Sequence, residues 1–176
     1  MSENADDLAG RPYLWACACE VVDKPWVGGI TEAQSFAARD AGLGEAGRVV
    51  FITICCQQRG VNQLCRPELA QALIKSVRFR QERGDWYAHL FLLMPDHLHA
   101  LLSFPPESSM KAVVAKWKEY SRRQLGIVWQ RGFFDHRLRK AESLDEKVHY
   151  IRMNPVRQGL VARAEEWPWI WEAGQE

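Results

Sequence analysis

An α+β fold built on an antiparallel sheet is predicted by three features of this sequence. Val49-Val50-Phe51-Ile52-Thr53-Ile54 is a β-branched run of strand length. Two more apolar stretches, Trp86 to Met94 and His97 to Phe104, are parted only by Pro95-Asp96, a connection short enough to require antiparallel neighbours. Segments of helical periodicity fall between these strands without alternating strictly with them, the mark of α+β rather than of a parallel sheet.

Taken in order, the first strand is followed by Pro67 to Arg83, where Leu69, Ala70, Leu73, Ile74 and Val77 recur at three and four and Gly84 ends the run. This spacing predicts an amphipathic helix. After the Trp86 to Met94 strand, the stretch His97 to Phe104 alternates. Leu98, Ala100, Leu102 and Phe104 share one face, and His97, His99, Leu101 and Ser103 share the other. A half-buried strand carrying two histidines outward is expected there. Ser109 to Gln124 reads as a basic helix with Met110, Val113 or Val114, and Trp117 on its apolar side. The aromatic and basic segment Trp129 to Lys140 should hold a fourth strand. Ser143-Leu144-Asp145-Glu146 is a capping-box signature, so a last helix is expected to run to about Asn154 and stop at Pro155. Trp167, Trp169 and Trp171 alternate by two and suggest a strand or tail pinned on the sheet. The order strand, helix, strand, strand, helix, strand, helix is close to a ferredoxin-like split arrangement, with the helices packed on one face.

Residues 1–47 differ in style, with glycines breaking up short apolar pieces, and are expected to be an N-terminal extension before a domain over 48–176. Within it, Tyr13 to Val22 suggests a strand and Thr31 to Ala41 a short helix. The chain has 176 residues, enough for one self-sufficient core, and its 47% hydrophobic and 26% charged residues are ordinary for a soluble globular protein. Its longest apolar stretches, such as Leu90 to Met94, are too short to cross a bilayer, which leaves a cytoplasmic location as the default. Five cysteines, Cys17, Cys19, Cys55, Cys56 and Cys65, form no C-x-x-C pair, so small buried hydrophobes are expected rather than disulfides or a zinc site.

A net charge of +1 hides an internal asymmetry. Residues 1–47 carry 3 basic and 8 acidic side chains, whereas residues 111–140 carry 9 basic against 2 acidic. Such local excess can grip phosphates. The candidates for phosphate contact are Lys116, Lys118, Arg122, Arg123, Arg137 and Arg139, with Trp117, Trp129 and Phe133 or Phe134 as aromatic neighbours in sequence. The plain alternative is that these cations solvate a helix and the aromatics fill a core.

Two histidines one residue apart on a strand present both imidazoles to one side, with α-carbons about 7 Å apart. His97 and His99 could therefore share a cation, though such a pair by itself is more often surface or structural than a metal site. Asp96 is a candidate partner for the pair, or simply a turn residue. Tyr150 flanks the apolar stripe of the last helix, and Asn154 lies one turn on along the same edge. A tyrosine at the helix margin above a capping asparagine is the competing reading. Position alone does not choose among Tyr13, Tyr87, Tyr120 and Tyr150.

Four strings in order carry a resemblance: Leu93-Met94-Pro95-Asp96-His97-Leu98-His99-Ala100-Leu101-Leu102, Trp129-Gln130-Arg131-Gly132-Phe133-Phe134-Asp135-His136, Tyr150-Ile151-Arg152-Met153-Asn154-Pro155-Val156-Arg157, and Trp167-Pro168-Trp169. From about Arg48 to Trp169 the chain resembles the REP-associated tyrosine transposases, single-tyrosine members of the HUH endonuclease group. The resemblance implies an HUH endonuclease-like fold and a metal-dependent enzyme that nicks and joins hairpin-forming, palindromic single-stranded DNA. By it, His97 and His99 match the metal-binding pair, Tyr150 the nucleophile and Asn154 a third, amide ligand, while His136 matches a histidine-bearing string of accessory role. It also sets Tyr120 aside.

Attack by such a tyrosine leaves a 5′-phosphotyrosine and a 3′-hydroxyl with no need for ATP. A phenol is a poor nucleophile at neutral pH, so a divalent cation offsetting the phosphate charge fits the chemistry. Two imidazoles and an amide suit Mn²⁺ better than Mg²⁺, although Mg²⁺ is the more abundant. The implied setting is a bacterial cytoplasm, with association to the nucleoid when DNA is bound, and no membrane partner. A monomer is expected, a dimer exchanging the last helix being the alternative. The rival function is a domesticated protein that binds hairpin DNA without cutting it. The chain departs from the family after the second aromatic of the last string, where Ile170 and Trp171 stand in place of the usual serines.

Overall fold

The computed structural model describes residues 48–139 and 142–173. The expected N-terminal strand and helix, and the extension over 1–47 itself, lie outside the described residues.

Among the described residues five strands form one antiparallel sheet: β1 (Val50–Cys55), β2 (Tyr87–Met94), β3 (His97–Ser103), β4 (Phe134–Arg137) and β5 (Ile170–Glu172). The helices are α1 (Pro67–Glu82), α2 (Met110–Leu125), α3 (Leu144–Arg152) and the single turn α4 (Asn154–Arg157). Strand order is β4-β1-β3-β2-β5. Without β5 this is the split arrangement the sequence predicts, and the alternating tryptophans deliver β5 to the free side of β2.

The register explains the core. Val50 pairs with Leu102, Ile52 with Ala100 and Ile54 with Leu98, while Phe91 pairs with Ala100. These residues share the face covered by α1 and α2, because paired positions across a ladder point the same way. Trp117 of α2 meets Phe91 edge-on at 5.7 Å, and its indole N–H donates to Ser76 Oγ of α1 at 2.9 Å. Trp129 repeats the device, donating to Ser121 Oγ at 2.8 Å. Each large apolar side chain fully buried here contributes about 1.5–3 kcal/mol. Cys55, Cys56 and Cys65 are buried and joined by no disulfide, and burial pushes the Cys56 thiol up to about 12.

The structure changes two expectations. The β3 strand is not half-exposed. Every residue but His99 is buried, since β3 lies in the middle of the sheet and α3 covers the face opposite α1 and α2. The two-helix layer on one face is as expected, and α3 adds a third layer above the histidines. The last helix also does not run through to Asn154. It stops at Arg152, and the chain resumes at Asn154 in α4, with Pro155 in the first turn, where no hydrogen bond from its nitrogen is required.

Candidate active site at the paired histidines

His97 and His99 come side by side on the central strand, their ring centroids 4.9 Å apart and their planes at 82°. Each ring is held by its Nδ1. His97 Nδ1 lies 2.7 Å from Asp96 Oδ1, and His99 Nδ1 lies 2.9 Å from Thr53 Oγ1, its partner in the β1–β3 register. Asp96 is itself fixed by the backbone N–H of Gly60 at 2.7 Å and the Arg59 guanidinium at 3.3 Å. Burial would raise the Asp96 carboxyl, but the hydrogen bonds from His97 and Gly60 and the Arg59 charge hold it below the usual range. An ionised Asp96 accepts the His97 Nδ1 proton and leaves Nε2 as the lone-pair atom.

Burial pushes His99 well below the usual imidazole range, and the neighbouring His97, Lys147 and Arg59 charges add to it. A neutral His99 likewise has an Nε2 lone pair to give. Two imidazoles oriented through Nδ1, one of them by a carboxylate, are a donor set that fits a divalent cation. Among the described residues no group of three His, Cys, Asp or Glu side chains could hold a metal.

Tyr150 sits on α3, whose N-cap Ser143 accepts from the Glu146 N–H as the capping signature predicts. Ile151 anchors the helix in the core, which leaves Tyr150 42% exposed. The phenol lies on the histidine side of the sheet, linked to it by contact. Lys147 Nζ stands 5.2 Å from the Tyr150 ring centroid and 4.8 Å from that of Phe51, and Phe51 stacks on His99 at 5.6 Å. The Arg157 guanidinium covers the tyrosine ring at 4.3 Å and donates to the Tyr150 carbonyl. Asn154 gives its amide N–H₂ to the Ile151 carbonyl at 3.0 Å, so the oxygen is the end left to offer. Tyr120, by contrast, is exposed on α2 in the opposite layer.

The basic residues divide. Lys118 is turned inward to the loop after Trp129, its Nζ meeting the carbonyls of Gln130 at 2.7 Å, Arg131 at 3.4 Å and Gly132 at 2.8 Å. Arg122 and Arg123 share the Glu119 carboxylate. With exposed Lys116 they belong to α2, across the sheet from the histidines. Arg137 and Arg139 are exposed at the β4 edge, where the Arg139 N–H donates to Glu142. His136 lies on the same face as Phe51 and meets both Glu142 oxygens at 3.1 Å. Phe134, 40% exposed, meets Phe51 edge-on at 6.1 Å. Thr53, Phe51 and Lys147 are site neighbours that sequence reading missed. Only Lys147 left a signal, three residues before Tyr150 on one helix face.

Residues 49–154 match the family described as transposase, IS200-like. The chain belongs to that family. It is similar to the REP-associated tyrosine transposase of Escherichia coli strain K12, with 28% identity over 106 residues that make up 57% of this chain and 60% of the relative. The chain therefore spans less than two thirds of that relative's length. A Haemophilus influenzae protein named for the same group is 30% identical over 140 residues, covering 70% of this chain and 78% of that one. Among solved structures, a REP-associated tyrosine transposase bound to a REP hairpin aligns with a TM-score of 0.60 at 21% identity, over 76% of this chain and 82% of its own. That likeness bears out the α+β architecture. The family's IS200-like match also bears out the resemblance read from the four strings. Among the described residues, no helix is long and apolar enough to cross a membrane.

Proposed function

We propose that the chain nicks and rejoins single-stranded DNA at hairpin-forming palindromic repeats, with Tyr150 as nucleophile and a divalent cation, Mn²⁺ or Mg²⁺, held by His97, His99 and Asn154. One observation carries the reading most: two imidazoles tied back through Nδ1 face the same side of the sheet as Tyr150, joined to it through Phe51 and Lys147. The names of the relatives, and the hairpin in the similar solved structure, supply the substrate class.

A cation bound there would supply charge neutralisation at a phosphodiester oxygen. His97 and His99 would hold it through their Nε2 atoms, with Asp96 and Thr53 keeping those rings from turning. The Tyr150 oxygen attacks phosphorus, the phenolic proton passes to solvent, and the P–O3′ bond breaks. The leaving oxygen takes up a proton to become the 3′-hydroxyl, and the 5′-phosphate stays esterified to Tyr150. Attack by a 3′-hydroxyl reverses these bonds and rejoins a strand, which is the chemistry of transposition and recombination. Arg157, over the ring and bonded to the Tyr150 carbonyl, limits the orientations available to the phenol. Arg137 and Arg139 at the β4 edge and Lys116, Arg122 and Arg123 on α2 contribute phosphate contacts, and His136 is an accessory group beside them. Residues 48–176 form the catalytic domain and 1–47 an extension to it. The protein works as a monomer in a bacterial cytoplasm.

The test is nicking of hairpin-bearing single strands from the genome that encodes the chain, with Mn²⁺, by wild type, Tyr150→Phe and His97→Ala. Wild type alone should cut. Tight hairpin binding without cutting by any of the three would favour a domesticated binding protein instead.

A further inference from the structure

Lys147 is half-buried on α3, yet among the described residues its ammonium makes no hydrogen bond and no ion pair. It rests on two aromatic faces, Phe51 at 4.8 Å and Tyr150 at 5.2 Å. Aromatic faces attract a cation, but they do not accept hydrogen bonds from it as oxygen does or cancel its charge. The nearby carboxylate, Glu142, is held below its usual range by the Arg139 N–H, by His136 and in part by the Lys147 charge, but its hydrogen bonds go to His136 and that N–H. The other cations of this region have partners: Arg157 donates to the Tyr150 carbonyl, and Arg59 faces Asp96. Of these three cations Lys147 is the one with no oxygen partner among the described residues, and its ammonium stands between the Tyr150 ring and Phe51, which stacks on His99.

We infer that Lys147 binds the scissile phosphodiester, giving its ammonium to a phosphate oxygen from the Tyr150 side while the histidine pair approaches through its cation. The inference rests on the nicking function proposed above and adds a residue to it. A phosphate lying within reach of both Tyr150 and the histidines lies beside Lys147, whose flexible stem lets the ammonium leave the rings for an oxygen. Three donors on a point charge suit a phosphate whose charge is spread over several oxygens. Lys147 forms and breaks no bond in this role. It lowers the cost of bringing an oxygen nucleophile to an anion.

The experiment uses the full chain with Mn²⁺ and an oligonucleotide carrying a palindromic hairpin and its single-stranded flank, the wild-type cleavage position having been mapped first. Lys147→Met keeps most of the stem, and thermal melting reports whether the fold survives. At saturating DNA, Lys147→Met should lower the nicking rate about tenfold or more, while Lys147→Arg restores most of it. Binding gives the second readout. In a Tyr150→Phe background, a neutral methylphosphonate at the mapped linkage should weaken binding several-fold when Lys147 is present and hardly at all when it is Met. Nicking by a folded Lys147→Met within twofold of wild type, or an equal methylphosphonate penalty with and without Lys147, overturns the inference and leaves the nicking function standing. A wild type that makes no nick overturns both.

Discussion

Asp96 Oδ1 sits 2.7 Å from His97 Nδ1, and the same carboxylate is pinned by the Gly60 N–H and Arg59. A turn residue thereby sets the orientation and tautomer of its neighbour. Asp96→Asn keeps the shape but loses the charge, so it should weaken Mn²⁺ binding by about 10- to 100-fold, measured by calorimetric titration. Unchanged affinity would mean that His97 does not bind the metal through an Asp96-oriented ring.

Lys118 and Arg139 came out of the sequence as equals, but the structure separates them. Lys118 holds three carbonyls of the loop after Trp129, whereas Arg139 is exposed at the β4 edge. Lys118→Met should cost about 1 kcal/mol of stability, discounted for its partial exposure. It should leave the salt dependence of DNA binding unchanged. Arg139→Ala should leave stability alone and reduce the slope of log K against log salt by about 1. Titrations at several salt concentrations distinguish the two.

His89 on β2 is half-buried beside Tyr87 and shares a hydrogen bond with Ser103 Oγ at 2.8 Å. Burial lowers its pKa from 6.5. The unfolded chain therefore takes up a proton near pH 6.5 that the folded chain refuses until lower pH. The stability this gives is complete above 6.5 and is lost as pH falls toward the depressed folded value. Melting of the metal-free protein from pH 7.5 to 5 should show that decline, and His89→Gln should flatten part of it. An identical pH slope in the variant would count against a lowered His89 pKa in the fold.

Trp117 is 1% exposed and ties α2 to both the sheet and α1. Trp117→Ala should cost about 3–5 kcal/mol, because a cavity opens and Ser76 loses its donor. Denaturant unfolding measures it, and a loss below about 1 kcal/mol would contradict the packing described.

Much of this was legible in the chain itself. The β-branched run at Val50, the alternation around His97 and His99 and the capping signature at Ser143 are local patterns, and each became a strand or helix where expected, although β3 is more buried and α3 shorter than the patterns predict. What stayed hidden depends on which element meets which. The periodicity of α3 says that it buries Ile151, not that it does so over the histidine face. Thr53 becomes the His99 partner only through a strand register, and Lys118 turns inward only because the loop after Trp129 returns to α2. Pro155 marks a break in either reading, but its tolerance in a first turn lets the helix resume.

The most direct measurement is mass spectrometric mapping of protein denatured after reaction with hairpin-bearing single-stranded DNA and Mn²⁺. A nucleotide phosphate covalently attached to the peptide containing Tyr150 is the predicted result. Nicked DNA with no attached protein, or attachment at Tyr120 or any other residue, would contradict it.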